Sequence, residues 1–246
     1  MGVRVSFFAT CLADTVVPGI AIDSVRLLRR LGCEIRFNPQ QTCCGQPLIN
    51  AGYHREALPA MRHLMEALLA DGCDYVVAPS GSCVLQVKEY PRYFRDDPVR
   101  YRQAEELAAK IWEITDFVVT VLGVEDVGAR LPGRAAYHPS CHMTRLLGVR
   151  EAPLTLLRHV RDLELVPFAG QDRCCGFGGL FSVKLGELSG AMVAEKAADI
   201  AAAEVDYLIG ADGGCLLNIQ GRLRREGREI RVLHVVQALM QGITKE

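Results

Sequence analysis

Cysteine recurs in this chain with a period. Cys11, Cys43, Cys44 and Cys83 form one set; Cys141, Cys174, Cys175 and Cys215 form a second, displaced by 130 to 132 residues. The flanks recur too. Arg4-Val-Ser-Phe-Phe-Ala-Thr-Cys11 answers Arg134-Ala-Ala-Tyr-His-Pro-Ser-Cys141, and Asp74-Tyr-Val-Val-Ala-Pro-Ser-Gly-Ser-Cys83 answers Asp206-Tyr-Leu-Ile-Gly-Ala-Asp-Gly-Gly-Cys215. Gly45 and Gly176 each follow a cysteine pair. Self-similarity at so long a period means a duplicated domain, not a solenoid of short units. The 246 residues therefore divide into a first module over 1–128, carrying a helical extension, and a second over 129–246.

Apolar runs alternate with amphipathic ones. Val3–Phe8, Glu34–Phe37 and Tyr75–Ala78 predict buried strands. Helices are expected over Gly19–Leu31, entered through Pro18, and over 53–70, where Ala57, Leu58, Met61, Leu64, Met65, Leu68 and Leu69 share a face. The second half copies this pattern. Its strands are expected at Ala135–His138, Glu164–Pro167 and Tyr207–Gly210, and its helices near 154–160 and 189–203. A last strand, Arg231–His234, leads into a helix through Val236 and Leu239. Between 96 and 133 no partner strand is expected: Gln103–Ile114 reads as helix and 123–133 as a linker. The prediction is an α/β fold of two tandem pseudo-repeated modules, each a small parallel sheet flanked by helices.

On such a fold the eight repeated cysteines converge. Each follows a strand, and parallel strands finish at one edge of their sheet, where open α/β folds bind ligands. Cys33 and Cys73 instead precede strands and have no repeat partners, so they read as small buried hydrophobes.

Ten cysteines in a long chain without a secretion-like start argue for metal or cluster ligation over a disulfide scaffold. Structural zinc usually takes C-x₂₋₄-C pairs, and none occurs here. Adjacent thiolates splay too far apart for one small tetrahedral ion, whereas an iron–sulfur cluster can take each at a different iron. The cluster is the favoured reading; zinc, a vicinal disulfide and plain buried thiols are the alternatives. Gly45, Gly81, Gly176, Gly178, Gly179, Gly213 and Gly214 crowd the ligand loops, where backbone N–H groups can approach an anionic cluster.

Composition narrows the function. Lys+Arg (28) and Asp+Glu (29) nearly cancel, which gives no electrostatic basis for nucleic-acid binding. No apolar run is long enough to span a bilayer. Gly176-Phe-Gly178 begins like a dinucleotide fingerprint, but Phe181 fills the final small-residue position and the motif fails. His138 and His142 flank Cys141 as proton-relay groups or ordinary loop histidines. Lys184 reads as solvated, and Arg222, Arg224, Arg225, Arg228 and Arg231 as a solvated helix end.

Cys174-Cys-Gly-Phe-Gly-Gly-Leu-Phe-Ser-Val-Lys184, Cys215-Leu-Leu-Asn-Ile-Gln-Gly-Arg-Leu-Arg224 and His138-Pro-Ser-Cys-His142 resemble the cysteine-rich CCG domain family. That family includes the heterodisulfide reductase B-like proteins, iron–sulfur subunits of glycolate and anaerobic glycerol-3-phosphate oxidising complexes, and the lactate-utilisation protein A family, the nearest in pattern. The resemblance covers essentially the whole chain. It implies a non-catalytic, cytoplasmic iron–sulfur electron-transfer subunit of an L-lactate (2-hydroxyacid) oxidising complex that yields pyruvate. Other subunits of that dehydrogenase would be its partners, through which it could sit at a membrane. The same resemblance admits a heterodisulfide reductase-like thiol–disulfide oxidoreductase or a subunit of a glycolate oxidase-type complex; a zinc-stabilised scaffold is the non-redox alternative. The family motif closes with C-x-x-C, but Ser80 and Asp212 stand at the first of those positions. Each module thus offers four cysteines, which implies one [4Fe–4S] cluster per module held by the eight, with Ser80 or Asp212 as an extra oxygen ligand. The alternative is zinc in one or both sites. The ferredoxin segment of larger relatives is missing, so other subunits would relay electrons.

Overall fold

The β-branched and aromatic runs pair as parallel strands. In this computed structural model, which describes residues 2–243, β1 (Arg4–Phe7), β2 (Glu34–Arg36), β3 (Tyr75–Ala78) and β4 (Ile111–Glu113) form one sheet in the order β2-β1-β3-β4. β5 (Arg130–His138), β6 (Arg161–Leu165), β7 (Tyr207–Gly210) and β8 (Arg231–His234) form the other, β6-β5-β7-β8. Every pairing is parallel, with Val5 opposite both Ile35 and Tyr75, and Ala135 opposite both Leu165 and Tyr207. The fold is α/β, with two tandem modules of matching topology.

Three details differ from the sequence reading. The helix expected to reach residue 114 runs over Pro98–Lys110, and Ile111–Glu113 then becomes a fourth strand, pairing with Val76–Ala78. Three residues are too few to show a period of two, and buried Ile111 continues the apolar pattern of the helix before it. The segment from 123 to 133 is linker only as far as Ala129, because β5 already begins at Arg130. β6 lies earlier than Glu164–Pro167 because this lengthened β5 offers it backbone partners at Arg130 and Gly133, across an irregularity in register.

The helices follow their apolar faces. Pro18–Arg30 opens with proline in its first turn, and Gly32 beyond it takes φ 84°. His54–Ala70 buries Ala57, Met61, Leu64, Met65 and Leu68; its counterpart Gly186–Ala202 buries Ser189, Val193, Lys196, Ala197 and Ile200. Among the described residues no helix is long and apolar enough to cross a membrane.

The modules share one core and each keeps a second of its own. One central cluster joins Val5, Phe7, Leu27, Leu28, Ile114 and Phe117 of the first to Leu131, Ala135, Leu156, Leu157, Val235 and Leu239 of the second. Each Val, Leu, Ile or Phe side chain of this cluster, fully removed from water, contributes roughly 1.5–3 kcal/mol. The opposite face of each sheet is covered by its own helices in a separate cluster. The shared core holds the two sheets in one relative orientation, which decides where their carboxyl edges point.

Candidate functional site

In both sheets the strand order reverses between the first and third strands, so the crevice of each module opens at their carboxyl ends. Cys11 begins the short helix Cys11–Thr15 just after β1, and Cys83 lies in the first turn of helix Gly81–Lys88 after β3. Cys43 and Cys44 sit in the loop between β2 and helix Gln46–Asn50. In the second module Cys141 follows β5, Cys174 and Cys175 lie in the loop after β6, and Cys215 sits in the first turn of helix Gly213–Arg225. All eight line one cavity of about 150 Å³, so the two sets face a common space.

Within each set the sulfurs crowd together. Cys11 Sγ lies 3.7 Å from Cys43 Sγ. Hydrogen bonds from Cys11 and Cys44 favour the Cys43 thiolate, and Cys141 and Cys175 do the same for Cys174. Those bonds, with burial, hold the four donating thiols in their protonated form. Sulfurs this close cannot all ionise against one another; a cation among them removes that restraint, and thiolate is a soft donor. The residues fit a metal or iron–sulfur group on both counts.

The loops are built to hold these sulfurs. Gly45 and Gly176 take φ 84° and 78°, and a Cβ on Gly176 would lie 2.9 Å from the Ser189 carbonyl oxygen. Glycine at this left-handed position lets the Gly176 amide donate to Cys174 Sγ at 3.4 Å, and the Gly45 amide likewise lowers the Cys43 pKa. Tyr90 Oη donates to the Cys44 carbonyl at 3.0 Å, while Asn218 Nδ2 donates to the Cys175 carbonyl at 2.8 Å.

Ser80 and Asp212, the expected oxygen donors, both line the cavity but already serve the backbone. Ser80 Oγ accepts from the Cys83 amide at 3.4 Å; Asp212 Oδ2 crosses to the other module and accepts from the Ser82 amide at 3.0 Å. His142 Nδ1 lies 3.5 Å from Cys141 Sγ. Exposed Lys184, the last residue of helix Leu180–Lys184, donates to Tyr53 Oη at 3.0 Å and so links the second module to the residue before helix His54–Ala70 of the first. Arg222, Arg224 and Arg225 lie in the last turn of their helix. Cys33 and Cys73 are buried at the amino edges, and desolvation raises both thiols.

Two groups carry more than their sequence positions suggest. His138 ends β5 and is 2% exposed; one of its ring nitrogens and the Cys175 and Cys215 sulfurs lie within 4.8 Å of one another. Burial, followed by the nearby Lys196 ammonium, pushes its pKa down to about 3 and keeps the imidazole neutral. Lys196 is fully buried, donates to the Gly170 and Gln171 carbonyls at 2.7 and 2.9 Å, and has its pKa lowered by desolvation. The repeat contained the signal for both, since the equivalent positions in the first module hold Phe8 and Leu64.

Residues 5–88 and 135–220 each match the family model for the Cysteine-rich domain, CCG. Lactate utilization protein A of Geobacillus thermodenitrificans is 57% identical over 236 residues, 96% of this chain and 98% of that protein. The protein of the same name from Bacillus velezensis is 51% identical over the same shares. Uncharacterized protein YkgE of Escherichia coli K12 is 53% identical over 237 residues, 96% of this chain and 99% of its own. Among solved structures, a hypothetical protein from Helicobacter pylori shares the fold, with a TM-score of 0.71 at 13% identity, covering 99% of this chain and 49% of that one.

Proposed function

The chain belongs to the family of cysteine-rich CCG domains, and from that premise we propose that it is an iron–sulfur electron-transfer subunit of a complex oxidising L-lactate, or a close 2-hydroxyacid, to pyruvate. The observation that carries the redox part is the convergence of eight cysteines from two sheets on one cavity. The lactate part rests on relatives that bear the name Lactate utilization protein A. In this reading each module, 1–128 and 129–246, holds one centre, ligated by Cys11, Cys43, Cys44 and Cys83 or by Cys141, Cys174, Cys175 and Cys215. An iron–sulfur centre, when bound, supplies one-electron uptake and release.

The chain's own residues hold and tune. Gly45 and Gly176 aim amides at sulfur, and Tyr90 and Asn218 fix the carbonyls of the second cysteine in each pair. Cofactors carry the hard chemistry of oxidising an alcohol, and the cavity is walled mainly by thiols and apolar side chains; of its two possible bases, Asp212 is already bonded to the Ser82 amide and His142 lies against Cys141. Partner subunits in the cytoplasm therefore supply the hydroxyacid site and the remaining relay.

The test is iron, zinc and acid-labile sulfide analysis of anaerobically purified protein, followed by lactate-dependent dye reduction with and without partner subunits. Iron and sulfide in both modules are expected. Cys44→Ser and Cys175→Ser should each remove about half of the iron. Turnover should appear only in the reassembled complex. Stoichiometric zinc without sulfide would refute the redox role; robust dye reduction by the chain alone would make it the catalytic subunit.

A further inference from the structure

The repeat aligns His138, the last residue of β5, with Phe8, the residue just after β1, and both are buried in the core. Phe8 is 1% exposed and packs in the apolar cluster that includes Cys44, Met61 and Leu64. His138 is buried as deeply, yet neither ring nitrogen has a hydrogen-bond partner. An imidazole placed there without a partner is costly where a phenyl ring is not. Yet one of its nitrogens lies within 4.8 Å of the Cys175 and Cys215 sulfurs, a grouping of donors that can hold a metal ion.

We propose that His138 is a nitrogen ligand of the second module's centre, beside Cys175 and Cys215, so that the two centres differ: thiolate alone in the first module, thiolate and imidazole in the second. Imidazole then replaces one of the four thiolates assigned to this centre above, Cys141 or Cys174, and a neutral ligand in place of an anionic one leaves the centre less negative and raises its reduction potential. Lys196 acts in the same direction. Its buried ammonium stands in the helix position of Leu64 and sets a positive charge near Cys175 and Cys215, which favours the electron-richer state of a centre held there. The second centre is then the more easily reduced, and electrons at rest collect there rather than in the first.

This inference rests on the iron–sulfur reading above, and the experiment separates the two. Anaerobic protein carrying [¹⁵N]histidine is compared with unlabelled protein by pulsed EPR, after iron and sulfide have been measured. One centre of the two should show a directly bonded nitrogen whose coupling changes with the isotope. That coupling should vanish in His138→Phe and in His138→Gln, with a downward shift of the higher of two midpoint potentials. It should survive His142→Ala, which removes the histidine beside Cys141. The unmodified protein gives the answer even if the His138 variants fail to fold. Iron and sulfide without a bonded histidine nitrogen, with only a weak hydrogen-bond coupling, or with one lost in His142→Ala, overturns the inference and leaves the iron–sulfur reading standing. Protein without iron and sulfide overturns both.

Discussion

The two modules share a backbone and differ in what they put beside it. Both run strand, helix and strand into a crevice, place a cysteine pair before a left-handed glycine, and set a last cysteine in the first turn of a helix. Around that frame the first module is apolar, with Phe8 and Leu64 in its core; the second is polar, with His138 and Lys196 in the same places. Duplication fixed the positions of the ligand loops, while the residues behind them were free to diverge. A protein that needs two centres of unequal character can obtain them this way without altering the fold.

The largest expected effect comes from exchanging the helix positions. Leu64→Lys puts an ammonium into a cluster shared with Phe8, Met61 and Leu68, and an uncompensated buried charge costs roughly 3–5 kcal/mol. Lys196→Leu removes a charge that is already compensated. It strands the Gly170 and Gln171 carbonyls, at about 1–3 kcal/mol. Urea unfolding of both variants checks the ranking. Equal losses would mean that the first module's core can solvate a cation, and the contrast between the modules would fail.

How much of this was legible beforehand follows the same division. The loops, the sheet classes and the convergence of Cys11, Cys43, Cys44 and Cys83 with their repeats could be read from period and strand placement alone. β4 could not, because Ile111–Glu113 is held by backbone pairing to β3 and its residues extend a helical pattern. Nor could the single cavity. Two modules each ending in a cysteine crevice are compatible with separate sites, and only the shared core around Leu27, Leu157 and Val235 turns both edges to one space. His138 was visible as a neighbour of Cys141; its closeness to Cys175 and Cys215, far along the chain, is a product of folding.

The ends of the fourth strands give the next contrast. Glu113 closes β4 and caps the following turn, its Oε2 accepting from the Thr115 and Asp116 amides at 2.8 and 3.2 Å, while Oε1 has no partner. His234 closes β8 and caps Val235–Leu239 through Nδ1, 3.3 Å from the Val236 amide. Burial pushes Glu113 from 4.5 up to about 7, with the Asp116 carboxylate assisting. Burial pushes His234 from 6.5 down to about 4, against the Ala211 and Pro79 carbonyls. The signs oppose. Glu113 contributes stability present below pH 4.5 and lost as pH rises to about 7; His234 contributes stability present above pH 6.5 and lost as pH falls to about 4. In their overlap the two slopes offset. Buried His138 adds a slope of the same sign as His234, so each variant is read against the unmodified protein. Glu113→Gln should make stability climb more steeply with pH over the Glu113 range, and His234→Asn should make it climb less steeply over the His234 range, by about 3 kcal/mol in each case. Denaturation midpoints across pH 4 to 8 would show it. Variant profiles that run parallel to that of the unmodified protein would mean that the caps are not buried as described.

The smallest effect tests whether the interface between the modules is as unequal as their interiors. Gly81 and Gly213 occupy the same repeat position at the start of equivalent helices, and each faces the other module. Neither needs glycine's left-handed conformation, so only space decides what alanine does there. A Cβ on Gly81 would lie 2.6 Å from Met143 Cβ and 3.3 Å from its Cα, atoms that cannot swing away. The helix carrying Cys83 would have to move off the segment that follows Cys141. A Cβ on Gly213 meets only Ile20 Cδ1, at an ordinary 3.5 Å, and Val17 Cγ2 at 3.8 Å. Gly81→Ala should then cost about 1–3 kcal/mol through overpacking. Gly213→Ala should be neutral or stabilise by up to about 1 kcal/mol, because alanine loses less chain entropy on folding. Thermal unfolding of the two variants side by side decides it. A lower midpoint for Gly81→Ala alone would place the tight side of the interface at Met143. Matched midpoints would confine the asymmetry to the surroundings of the cysteines, and the modules would meet as equals.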